Sequence, residues 1–94
     1  MLTILFSMMI REGMEAEFVE LAREMTRSTH ERDDGCIAYT IHAKDGAPRE
    51  FVLYEQWRDQ EAVDKHLQRL LAEVGRERFV GFFEKTEAAR LTPL

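Results

Sequence analysis

The chain has 94 residues, 33% of them charged, and a formal net charge of -5 with acids and bases interleaved. That length supports a single domain over residues 1–94 and buries only about two-thirds of its unfolded surface. The negative balance, with no basic face, argues against nucleic acid as a partner. The lone Cys36 cannot close an intrachain disulfide, so a cytoplasmic location is expected.

The first apolar run, residues 3–10, is far shorter than the roughly 20 residues that a membrane-crossing helix needs. It carries neither a basic leader nor a small-residue cleavage site, so no targeting segment or membrane association is expected. It reads as a strand apolar on both faces, with Ile4, Phe6, Met8 and Ile10 on one side and Leu5 and Met9 on the other. Arg11, Glu12 and Gly13 end it. From Met14 to about His30 the period becomes helical: Phe18, Leu21, Ala22 and Met25 form an apolar stripe. The polar segment at 31–35 then turns the chain back toward the sheet.

Residues 36–42 and 50–57 are rich in β-branched and aromatic side chains and read as a hairpin, with turn chemistry at 44–48. Asp59 is placed to cap a second helix, and Glu61 suits its positive end. Ala62, Val63, His66, Leu67, Leu70, Leu71 and Val74 form its apolar side. Gly75 stops or kinks it, residues 76–83 continue a helical stripe through Phe79, Phe82 and Phe83, and residues 88–91 remain for a short last strand before Pro93. The order β-α-β-β-α-β predicts an α+β, ferredoxin-like antiparallel sheet with both helices on one face. The other face is also partly apolar, which predicts a homodimer packed through that sheet face.

Gly13-Met14, Gly35-Cys36-Ile37-Ala38-Tyr39, Phe51-Val52-Leu53-Tyr54-Glu55-Gln56-Trp57, Ala62 and His66-Leu67 together resemble the antibiotic biosynthesis monooxygenase domains, in particular their quinol monooxygenase branch. The likeness runs from about residue 2 to residue 71. It implies a dimeric α+β barrel with a pocket between sheet and helices in each subunit. It also implies oxidation of a small aromatic or quinol-like molecule by dioxygen without flavin, haem or metal, hence no cofactor. The chain departs from the pattern in containing no asparagine. The resembling oxygenases use an asparagine near the tryptophan, and their haem-degrading cousins use one on the first strand. Leu53, and Phe6 or Ser7, stand roughly at those places, which sets the haem reading aside. Where the branch often carries a second histidine one turn beyond His66, this chain has Leu70 and Leu71.

His66, on the apolar side of the second helix, is a candidate base for a phenolic proton, or else a buried histidine held by a carboxylate. Glu55 shares a face with Phe51, Leu53 and Trp57 and needs a partner there. It either orients His66, binds a ligand hydroxyl, or pairs with Arg58 or Arg69. Trp57 offers a stacking surface for a flat ligand or simply packs under the second helix. Phe6, Met8, Leu53 and Leu70 are the expected substrate-facing walls. Tyr39 and Tyr54 are expected on the face away from Trp57, at the dimer interface. Cys36 is expected to be a small buried residue, His30 and His42 to be exposed, and the three histidines have no metal-ligand spacing. Three functions fit these residues: a cofactor-independent monooxygenase with His66 and Glu55 as catalytic groups, a non-oxidative isomerase or decarboxylase on the same scaffold, and a small-molecule-binding dimer without chemistry.

Overall fold

The structure, a computed structural model, describes residues 1–94. Its elements run β1 (Leu2–Ile10), α1 (Glu15–Arg32), β2 (Cys36–Ala43), β3 (Glu50–Trp57), α2 (Gln60–Val74), α3 (Arg76–Gly81) and β4 (Phe83–Leu91). The strands form one four-stranded antiparallel sheet in the order β2-β3-β1-β4. This is the ferredoxin-like arrangement expected from the sequence, with a third short helix added. No helix is long and apolar enough to cross a membrane.

Local chemistry explains the element ends. Asp59 accepts a hydrogen bond from the Ala62 backbone N–H and so caps α2, as its position predicts. Gly75 adopts a positive φ of 90°, which ends α2 and lets α3 start in a new direction. Gly35, at φ 87°, has a second constraint: a Cβ there would sit 2.7 Å from Ala62 Cβ. The turn after α1 therefore packs directly on the first turn of α2, and only glycine leaves the room.

Both helices cover one face of the sheet. Phe18 of α1 packs on Phe51 of β3 with ring centroids 4.9 Å apart, and on Phe82 at 5.8 Å. Val63, His66 and Leu70 supply the buried side of α2. The core includes Met8, Ile10, Phe18, Met25, Tyr39, Leu53 and Trp57.

Two expectations are corrected. The last strand begins at Phe83, not near Ala88, and pairs along most of β1. Its residues are almost all exposed, because an edge strand needs the ladder and not the core, so Glu84 to Glu87 carry no apolar period. Tyr39 lies on the helix-covered face and is only 2% exposed. The cause is a bulge: Cys36 pairs with Trp57 and Ala38 with Gln56, which leaves Ile37 as the extra residue and brings Tyr39 opposite Glu55. Tyr54 remains on the uncovered face, opposite Leu5 and Thr40.

Candidate functional site

Between the sheet and its helices lies a cavity of about 250 Å³. β1 contributes Ile4, Phe6 and Met8, β2 contributes Tyr39 and Ile41, and β3 contributes Leu53 and Glu55. Opposite them stand Met25 of α1, Val63, His66, Leu67 and Leu70 of α2, and Phe79 of α3, with Ala88 of β4 at one side. The alternation of β1 and β3 and the helical spacing of α2 put these side chains there. Glu55 and His66 are the only polar residues on an otherwise apolar wall.

Of the residues singled out in the sequence, His66, Glu55, Phe6, Met8, Leu53 and Leu70 meet at this cavity. Trp57 does not line it. Its indole is fully buried behind the wall, tilted against His66 with ring centroids 4.6 Å apart and edge-on to Tyr39 at 6.4 Å. Its Nε1–H donates to Glu55 Oε1 at 2.7 Å. Trp57 thus supports the two polar walls from behind.

Glu55 pairs with neither arginine nor with His66. Arg58 reaches Asp34 and Asp59, while Arg69 reaches Asp33 and Glu73. Burial pushes the Glu55 carboxyl above its ordinary value, and the Trp57 N–H only partly offsets this. The Tyr39 phenol is pushed up strongly, first by burial and then by the charge of Glu55. The Thr29 hydroxyl, fully buried beside it, closes no hydrogen bond of good geometry. At neutral pH Tyr39 stays a neutral phenol able to donate a hydrogen bond.

The carboxylate beside His66 is Asp33. His66 Nδ1 lies 2.5 Å from Asp33 Oδ2. Arg69 Nε donates to Asp33 Oδ1 at 2.6 Å and Arg69 Nη2 to Oδ2 at 2.8 Å. Asp33 caps the C-terminus of α1, where the chain leaves the helix in an extended conformation and aims the side chain at α2. Burial would raise the Asp33 carboxyl, but the hydrogen bonds from Arg69 and His66 outweigh it and hold the group below its ordinary value. Burial depresses the His66 imidazole; Asp33 opposes that and the charge of Arg69 reinforces it. Sequence reasoning passed over Asp33 as part of a polar turn, since 33 positions separate it from its partner. His30 and His42 lie away from this wall, His30 Nε2 within 2.9 Å of the Tyr39 carbonyl oxygen. Cys36 is half-buried rather than buried. No three His, Cys, Asp or Glu side chains come together so as to hold a metal ion.

The family model for antibiotic biosynthesis monooxygenase matches residues 1–78. The chain belongs to the antibiotic biosynthesis monooxygenase family. No curated protein matches it. Among solved structures, PA3566 from Pseudomonas aeruginosa is similar at 20% identity and a TM-score of 0.85, over 99% of this chain and 93% of that one. Rv0793 from Mycobacterium tuberculosis is similar at 23% identity and a TM-score of 0.74, over 99% and 94%. A structure described as an antibiotic biosynthesis monooxygenase gives 21% identity and a TM-score of 0.79, over 100% and 99%. At these identities the structural likeness establishes the fold, which this family member keeps from end to end.

Proposed function

We propose that this family member is a cofactor-independent monooxygenase that oxidises a small phenol or quinol with dioxygen in the cytoplasm. The observation that carries the reading is the cavity wall: apolar throughout except for Glu55 and His66. An apolar protein cavity of about 150 Å³ accepts benzene, so 250 Å³ suits one ring or two fused rings. No cationic side chain lines the wall, and the site therefore favours a neutral ligand over an anionic one.

His66 takes the phenolic proton, and the phenolate it leaves is electron-rich enough to pass an electron to dioxygen. Recombination places one oxygen atom on the ring; the other leaves as water with two protons. A dihydroxyarene and O2 thus give a hydroxyquinone and H2O, with all four electrons drawn from the substrate. Glu55 holds a ligand hydroxyl at the sheet side, and Phe6, Met8, Leu53 and Leu70 hold the ring. Trp57 braces His66 and Glu55 against movement. Oxygen-electrode assays over a quinol and polyphenol panel test this. Uptake that His66→Ala lowers by at least about 100-fold supports the assignment; uptake unchanged in that variant removes it.

The opposed environments of Glu55 and His66 favour a second reading. One group is pushed up and the other down, an arrangement that also serves non-oxidative acid-base chemistry such as isomerisation or decarboxylation. Turnover under strict anaerobiosis would select it. Binding of a metabolite with thermal stabilisation but no product would instead select a non-catalytic role.

We also infer a homodimer joined through the uncovered sheet face. Leu5, Val52 and Tyr54 lie there only half-buried, and Leu91 at its edge is 42% exposed. A standard interface removes about 800 Å² from each partner. Light scattering after size-exclusion chromatography that returns a monomer at micromolar concentration would overturn the dimer.

A further inference from the structure

His66 stands between two spaces of different character. On one side is the apolar cavity; on the other an outer polar cleft of about 270 Å³, to which Asp33 and Arg69 also belong. Nδ1 is engaged on Asp33, and no group of the protein hydrogen-bonds Nε2. The side chains of His66 and Asp33 are 3% and 7% exposed.

We propose that Asp33, gripped at two points by Arg69, is the positioning residue for His66: it fixes the imidazole proton on Nδ1 and presents unprotonated Nε2 to the cavity. This rests on the reading of His66 as the base. An imidazole has one donor and one acceptor nitrogen when neutral, and whichever nitrogen meets a carboxylate becomes the donor. Asp33 offers only acceptors while ionised, and the fork of Arg69 keeps it ionised. Because both Asp33 oxygens already accept from Arg69, the carboxylate pulls less strongly on the His66 proton than a free one would. Arg69 therefore limits how far Asp33 can raise the basicity of His66.

The groups that face the imidazole from neighbouring elements are Asp33 from the turn after α1, Tyr39 from β2 and Glu55 from β3. Arg69 faces it from its own helix, while Arg32, Asp34, Arg58 and Lys65 ring the outer cleft. Tyr39 is neutral at working pH, and Glu55 is common to every variant below, so the variants isolate the Asp33 and Arg69 contributions.

Nitrogen-15 NMR of the histidine side chains, assigned with His30→Gln and His42→Gln, tests the proposal without any turnover. In the wild-type protein above the His66 pKa, the proton is expected on Nδ1; a proton on Nε2 overturns the proposal, and this measurement needs no variant at position 33. Asp33→Asn should move the midpoint of the His66 titration down and populate the Nε2–H form, whereas Arg69→Gln should move the midpoint up. Shifts in the same direction, or none, overturn it. In oxygen uptake, Asp33→Asn should lower kcat about 100-fold with KM within about threefold. Absence of uptake in the wild type would count against the proposed oxidation while leaving the tautomer result to stand or fall separately.

Discussion

The two faces of the sheet use alternate residues of the same four strands and meet different fates. On the covered face, Met8, Tyr39, Leu53, Glu55 and Trp57 are all less than 9% exposed, and two ionisable groups are held in an apolar setting. On the uncovered face, Leu5, Val52 and Tyr54 keep contact with solvent and carry no helix. Apart from the bulge at Ile37, the difference lies in what packs across from each face. Burial under the helices shifts and orients the Glu55, Tyr39 and His66 side chains, whereas the chain's own helices bury nothing on the open face.

That contrast can be broken most severely from the covered side. Trp57→Ala is expected to cost about 3–5 kcal/mol, read as a lower urea midpoint, because it opens a cavity under His66 and removes the donor to Glu55. An unchanged midpoint would mean that the indole is not a supporting element. Gly35→Ala comes next, at about 2 kcal/mol. The substitution forces both a left-handed conformation and a clash with Ala62, and it should move α2 away from the turn that carries Asp33.

Glu55→Gln sharpens the comparison with a smaller change and a sign. The folded Glu55 carboxyl sits above its ordinary 4.5, so folding favours its protonated form. Its contribution to stability is therefore greatest at low pH and is lost as pH rises through the folded value. The glutamine variant keeps an acceptor for Trp57 and avoids the buried charge. It should melt a few degrees higher than wild type at neutral pH, about 1 kcal/mol, and the advantage should vanish toward pH 4.5. A gain independent of pH would show that the charge is not its source. Leu5→Glu, on the open face, should change the stability of the folded monomer by only about 0.5 kcal/mol. Its larger effect should be on mass in light scattering, where dimer gives way to monomer.

Much of this arrangement is legible one residue at a time. The strand alternation of Phe6, Met8, Leu53 and Glu55, and the helical spacing of His66 and Leu70, bring all six to one cavity. Asp59 caps the helix that its position announces. The less legible parts depend on pairing partners. β4 has no apolar period because an edge strand is held by the ladder. The side of Trp57 on which space would remain depends on how tightly Tyr39 and His66 close around it.

The sequence by itself therefore determined the element order, the ferredoxin-like class and the facing of His66 and Glu55, because periodicity acts over a few residues and needs no partner. Tertiary structure decided the rest. A single extra residue at Ile37 turned Tyr39 from the open face to the cavity. The close approach of Gly35 to α2 brought Asp33 onto His66 and Arg69. Bulges and long-range ion pairs depend on residues far apart in the chain, and only the folded geometry brings them within hydrogen-bonding distance.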